Sequence, residues 1–204
     1  MQNIVNARRD LSSGQTGFQI SQSHINSGGQ RLSYHIRTSN TTGTTISSES
    51  SLPTNKWSHL TFIYDINDPV AKQRMYINGV LENDTQNPII SLNVTDTYNI
   101  GVHANTWQDY NWNGWMFDMR HYNVALSQNE IEKLMTLGQD PINVTPVMRL
   151  PFNTTPEEVI TDHPEIVVSN NGNLVTMDAT KPRPDLIKNP NVYKLAATRT
   201  INVA

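Results

Sequence analysis

The chain has 204 residues and a mass of 23.0 kDa, which suits one ordinary domain or one domain with a partial second. Charged residues are only 16% and hydrophobic residues 36%, the difference being filled by 24 Asn, 21 Thr and 15 Ser, so charge-driven disorder is excluded. The net charge of −3 and pI near 6.0 exclude a global basic field that would recruit nucleic acid.

No apolar run approaches the ~20 residues of a membrane helix, so no membrane insertion is expected. The start, MQNIVNARRDLSS, lacks an apolar centre, so no signal peptide is expected. Cysteine is absent, which removes disulfides, thiolate metal sites and thiol nucleophiles. Five N-x-Ser/Thr sequons occur at Asn40, Asn83, Asn93, Asn143 and Asn153. A chain this rich in Asn and Thr generates such triplets by chance.

Period-two alternation dominates the chain. A strand is predicted over 18–21. Leu32, Tyr34 and Ile36 then share one face, with Ser33, His35 and Arg37 on the other. Trp57 opens a segment in which Leu60, Phe62 and Tyr64 repeat the pattern. Met75–Ile77 runs into Asn78-Gly79 and then Val80-Leu81, a tight hairpin, because Asn-Gly tolerates positive φ at both turn positions. Further strands are predicted at 89–94, 97–102 and 114–122. Turn signals fall at Gly28-Gly29, Asn40 to Gly43, Asp65 to Pro69 and Asn105 to Asn113.

One helix is predicted over 128–137. Ser127 and Glu130 form a capping box, Ile131, Leu134 and Met135 share one face, Gly138 stops the helix, and Pro141 forbids continuation. Beyond it prolines crowd the chain, with strand-like pieces at 147–152, 166–169, 174–177 and 193–203. Residues 1–140 read as a sandwich core. Residues 141–204 read as a Pro-rich segment whose strands complete that sandwich or start another copy.

Four pieces in order resemble the laminin-G-like, concanavalin-A-like lectin/glucanase superfamily. They are Trp57-Ser58-His59-Leu60-Thr61-Phe62-Ile63-Tyr64-Asp65, Met75-Tyr76-Ile77-Asn78-Gly79-Val80, Tyr98-Asn99-Ile100-Gly101, and the block from Trp112 to Tyr122 with Ala125-Leu126-Ser127 and Glu130-Ile131. The resemblance implies an all-β antiparallel jelly-roll sandwich with one short helix. Family domains open with a strand like Met148-Arg149-Leu150-Pro151-Phe152, which here follows the helix. The sandwich is therefore expected to be circularly permuted or completed between chains.

The superfamily's hydrolases carry an E-x-D-x-x-E-like array, whose period-two spacing puts carboxylates on one strand face about a glycosidic bond. No such array occurs, so a non-catalytic chain is expected and no catalytic residue is assigned. Asn105, Trp107, Asp109 and Tyr110 form the candidate glycan site, an aromatic platform beside amides and a carboxylate. No cofactor is assigned, and Asp65 and Asp68 are the oxygen-rich candidates for calcium, against an ordinary Asp-Asn-Asp-Pro turn. His103 and His121 are weighed as a metal pair against two ordinary strand histidines. The expected role is a structural or assembly component of a surface structure such as a virion or phage tail, with glycan recognition. A stand-alone lectin-like module is the alternative. Partners are other protein subunits, self or assembly, and glycans, but not nucleic acid.

Overall fold

A computed structural model describes residues 2–11, 14–25, 29–39, 42–87, 99–101, 112, 114 and 116–150. The chain divides into two compact units, Met1–Gly114 and Trp115–Ala204, and the division drawn from sequence at 140/141 falls inside the second.

In the first unit the strands are β1 (Gln2–Leu11), β2 (Gly14–Ile25), β3 (Gly29–Arg37), β4 (Gly43–Ser51), β5 (Leu60–Tyr64), β6 (Gln73–Ile77), β7 (Val80–Thr85) and β8 (Asn99–Ile100). They form a five-stranded sheet, β4-β3-β2-β1-β8, and a three-stranded sheet, β5-β6-β7, with every neighbouring pair antiparallel. The all-β antiparallel sandwich with one short helix is thus the fold observed.

Register turns the alternation into a core. Ile46, Tyr34, Ile20, Val5 and Ile100 are successive cross-strand partners, so one apolar row crosses all five strands. Ile36 and Phe18 begin the next row. The Tyr34 ring meets Phe18 edge-on at 6.4 Å and Phe62 of the other sheet at 5.3 Å. Met75, the cross-strand partner of Phe62, is fully buried. Each such side chain contributes about 1.5–3 kcal/mol by leaving water. A polar tie joins the layers: buried Gln73 donates through Nε2 to the Tyr34 carbonyl at 2.8 Å.

The strand β4 carries no alternation strong enough to predict it, and the sequence marks only a turn ending at Gly43. Its polar text, GTTISSESS, reflects its position at the sheet edge, where only Ile46 and Ser48 are buried. A bulge interrupts its pairing with β3 between Arg31 and Ser33. There Ser48 Oγ accepts from the Leu32 amide at 3.0 Å and donates to the Ser50 carbonyl at 2.6 Å, replacing the interrupted ladder. The open side of β4 is met by β7 side chains. Asn83 Nδ2 donates to the Ser47 carbonyl, and Glu82 accepts from the Ser50 amide. Engaging those groups leaves less bare edge to pair with another chain. At the hairpin tip, Asn78 and Gly79 both have positive φ, 51° and 77°, as a type I′ turn requires. Asn78 also fastens the tip to β5 through the His59 amide (2.9 Å) and carbonyl (2.7 Å).

The second unit contains β9 (Met119–His121), α1 (Gln128–Leu137) and β10 (Met148–Leu150). The helix has the bounds read from its caps. Ser127 Oγ accepts from the Glu130 amide, the Glu130 carboxylate accepts from the Ser127 amide, and Gly138 closes the other end in the left-handed region. Ile131 is its fully buried side chain. Residues 148–150, the start of the segment that follows the helix, pair antiparallel with β9 of the same chain. The strand predicted over 114–122 is confined to 119–121. The predicted pieces at 89–94, 166–169, 174–177 and 193–203 lie outside the described residues.

Candidate ligand-binding face

The residues that point away from the apolar row form a second surface on the five-stranded sheet. Thr45, His35 and Gln19 are cross-strand partners, as are Ser47, Ser33 and Ser21. These rows are hydroxyls, an imidazole and an amide, with no carboxylate. Exposure falls from edge to centre: Thr45 and Ser47 are open, His35 and Ser33 half-buried, and Gln19 and Ser21 retain only 4% and 3%. Ser33 and Ser47 hydroxyls lie 3.3 Å apart and share a hydrogen bond. Arg37 Nε donates to His35 Nε2 at 2.7 Å, which makes that ring nitrogen the acceptor and puts the imidazole's own proton on Nδ1. Only the edge of this array, Thr45 and Ser47 with the half-buried Ser33 and His35, is open, and its hydroxyls and imidazole suit the hydroxyls of a polyhydroxylated ligand.

The candidate glycan residues Asn105, Trp107, Asp109 and Tyr110 lie outside the described residues, as does His103, the suggested partner of His121. Their base is described. Trp112 donates its amide to the Gly101 carbonyl at 2.7 Å, and Gly101 donates to the Ile4 carbonyl at 2.9 Å. A side chain at Gly114 would meet the Trp112 indole at 2.8–2.9 Å, so glycine there lets the backbone lie on the ring. Trp112 is thereby committed to packing.

The calcium candidates are in an organised turn. Asp65 Oδ1 accepts from the Asn67 amide at 2.9 Å. Asp68 Oδ1 accepts from the amides of Val70 (2.7 Å) and Ala71 (3.0 Å), while its Oδ2 is paired with Arg74. The Ala71 amide, the Arg74 guanidinium and the Val70 amide hold the Asp68 carboxyl well below the usual carboxylate range, at about 2. Both oxygens thus serve protein donors, the arrangement of an Asx turn. Among the described residues no three His, Asp or Glu side chains cluster as metal ligands.

Other carboxylates are likewise engaged. Asp118, at φ 57°, forms a fork with Arg120 (both contacts 3.0 Å). The Arg120 side chain is 3% exposed and also reaches Asp140 at 2.7 Å and the Gly138 carbonyl at 2.9 Å. Tyr122 donates its hydroxyl to the same Asp140 oxygen at 2.5 Å, and its burial raises the phenol's pKa. This network ties β9 to the end of α1. Burial lowers the pKa of the neighbouring His121. Glu130 caps the helix, and Glu132 accepts from Gln128 at 2.9 Å. No motif in the sequence marks the polar sheet face or this clamp. The alternation in β3 marked Ser33, His35 and Arg37 as one face, but only register with β2 and β4 extends that face into a surface.

Comparison with curated proteins and with solved structures gave no match. A family model described as the concanavalin A-like lectin/glucanases superfamily, laminin-G type, matches residues 2–132, from β1 into α1. With the match spanning most of the chain and both sheets of the first unit, the chain belongs to the concanavalin A-like lectin/glucanase superfamily.

Proposed function

We propose that this protein is a non-catalytic recognition module whose ligand is polyhydroxylated, a glycan, and that it serves as a building unit of a surface structure such as a virion or phage tail. The observation that supports glycan recognition most is the carboxylate-free polar edge of the five-stranded sheet, where Thr45 and Ser47 are open and their partners His35 and Ser33 half-buried. Glycoside hydrolysis needs two carboxyl groups roughly 5–9 Å apart across the bond. In this chain Asp68, Asp118, Asp140, Glu82 and Glu130 are instead bound to arginines or backbone amides. The engagement of these carboxylates supports a non-catalytic role.

The experiment is binding of the full chain to immobilised polysaccharides, with Ser33→Leu and Thr45→Leu as variants. Retention by at least one polysaccharide, lost in variants that keep the wild-type melting temperature, is the expected result. Retention unaffected by both variants, or none at all, overturns the reading. The assembly role is supported by composition alone, with 24 Asn, 21 Thr and no Cys. It requires a defined oligomer that resists dilution in light scattering. A strict monomer at all concentrations would leave a stand-alone lectin-like module.

A further inference from the structure

The sheet β5-β6-β7 ends on one side at β5, and among the described residues no strand lies beyond it. Two bonds that flank its ladder with β6 fix which way each backbone group points: the Asn78 amide donates to the His59 carbonyl, and the Asp65 amide to the Lys72 carbonyl. Directions alternate along an antiparallel pair, so Thr61 and Ile63 bond β6, while Leu60 and Phe62 turn their N–H and C=O outward. Among the described residues those outward groups have no partner. Thr61 Oγ1, between them, is shielded from water and also lacks one. Other edges are blocked. The strand β4 has its bulge and is met by Asn83 and Glu82, and β7 itself carries Glu82 and Asp84. From Trp57 to Tyr64, by contrast, there is no Lys, Arg, Asp, Glu, Pro or Gly. The strand β5 thus lacks the charges, prolines and bulges with which edges turn other chains away.

We infer that β5 pairs antiparallel with β5 of a second copy of this chain, about a two-fold axis at Thr61, so that the two small sheets become one continuous sheet. This rests on the assembly reading and deepens it, naming the partner and the contact. In this register Leu60 lies opposite Phe62 of the partner subunit, and Phe62 opposite Leu60 of the partner subunit. The outward groups of each pair then exchange both hydrogen bonds. Thr61 meets its own copy at a non-hydrogen-bonded position, where Cα atoms lie about 4.5 Å apart and threonine hydroxyls bond one another. The orphaned Oγ1 gains its partner there. A two-fold axis makes the contact self-complementary, the commonest geometry of soluble dimers. An unrelated strand could bond the same backbone, but only a second copy necessarily brings a threonine opposite Thr61.

The test introduces Thr61→Cys into the full chain, which has no cysteine of its own. Opposed Cα atoms about 4.5 Å apart fall within the range a disulfide spans. With diamide as oxidant, the expected product is a disulfide-linked dimer, at a concentration where Thr85→Cys, on the far strand β7, stays largely unlinked. Light scattering of the unaltered chain should give at least twice its 23.0 kDa. Thr61→Lys sets like charges opposite each other and should weaken association about tenfold or more. Thr61→Glu should do the same. An equimolar mixture of these two variants should restore the dimer, because opposite charges then face each other, and that rescue separates lost pairing from lost folding. An oligomer that survives Thr61→Lys, with no cross-link through Thr61→Cys, overturns the β5 contact and leaves the assembly reading standing. A monomer at every concentration overturns both.

Discussion

The two faces of the five-stranded sheet are built from the same strands, yet they answer to different physics. One carries Ile46, Tyr34, Ile20, Val5 and Ile100 in a single row; the other carries Thr45, His35 and Gln19 one residue away on β4, β3 and β2. The first gains free energy by leaving water, so its side chains are large and interlocked. The second is open at β4 and closed over Gln19 and Ser21 on β2, and its side chains are small or hydrogen-bonding. Substitutions should therefore separate: stability is lost from the inner face, binding from the outer.

The second unit supplies the sharpest break. Arg120→Ala leaves Asp118 and Asp140 without their buried cation, and loss of one member of such a network costs about 3–5 kcal/mol. Chemical denaturation followed by circular dichroism should record it, and a change under about 1 kcal/mol would mean the clamp is idle. On the inner face, Leu32→Ala should cost about 2–5 kcal/mol, since the side chain is fully buried. Ser48→Ala should cost about 1–3 kcal/mol by stranding the Leu32 amide at the bulge, although it removes only a hydroxyl. On the outer face, Ser33→Ala should stay within about 0.5 kcal/mol of wild type in the same assay. A large loss there would mean that this face too is core.

The turn at 65–71 adds a dependence on pH. The Asp68 carboxyl is held at about 2, below its ordinary value of 3.8. A folded-state pKa below the unfolded one stabilises the fold above the unfolded value and ceases to do so as pH falls through the folded one. The contribution should be full above about pH 4 and gone by about pH 2. Asp68→Asn should remove that segment of an acid-unfolding profile, and an identical profile would contradict the turn's role.

The sequence made half of this contrast readable. Alternation in β3 identified its inner face, the Asn78-Gly79 dipeptide fixed the hairpin, and Ser127, Glu130 and Gly138 bounded the helix to the residue; in β5 the buried side chain is Ile63, while Leu60, Phe62 and Tyr64 are half-buried. It left β4 unread, because an edge strand has one side to bury and few apolar residues with which to announce it. It also left the polar face unassigned. Gln19 and Ser21 are unremarkable letters in β2 and become part of a surface only through register with Ser33 and His35. The clamp was hidden for a similar reason, since Asp140 is twenty positions from Arg120 and meets it only when α1 is capped at Gly138. In the aromatic loop at 105–110 residue type alone suggests sugar stacking, and register adds nothing because the loop lies outside the described residues.

The most direct measurement is an NMR titration of the full chain, following backbone amides, with a short oligogalacturonate and a neutral laminari-oligosaccharide of equal length. Shifts that cluster on Ser33, His35, Thr45 and Ser47 for at least one of the two are the predicted result. Shifts confined to residues 103–115, or to the turn at 65–71, would contradict the assignment of the ligand face to the five-stranded sheet.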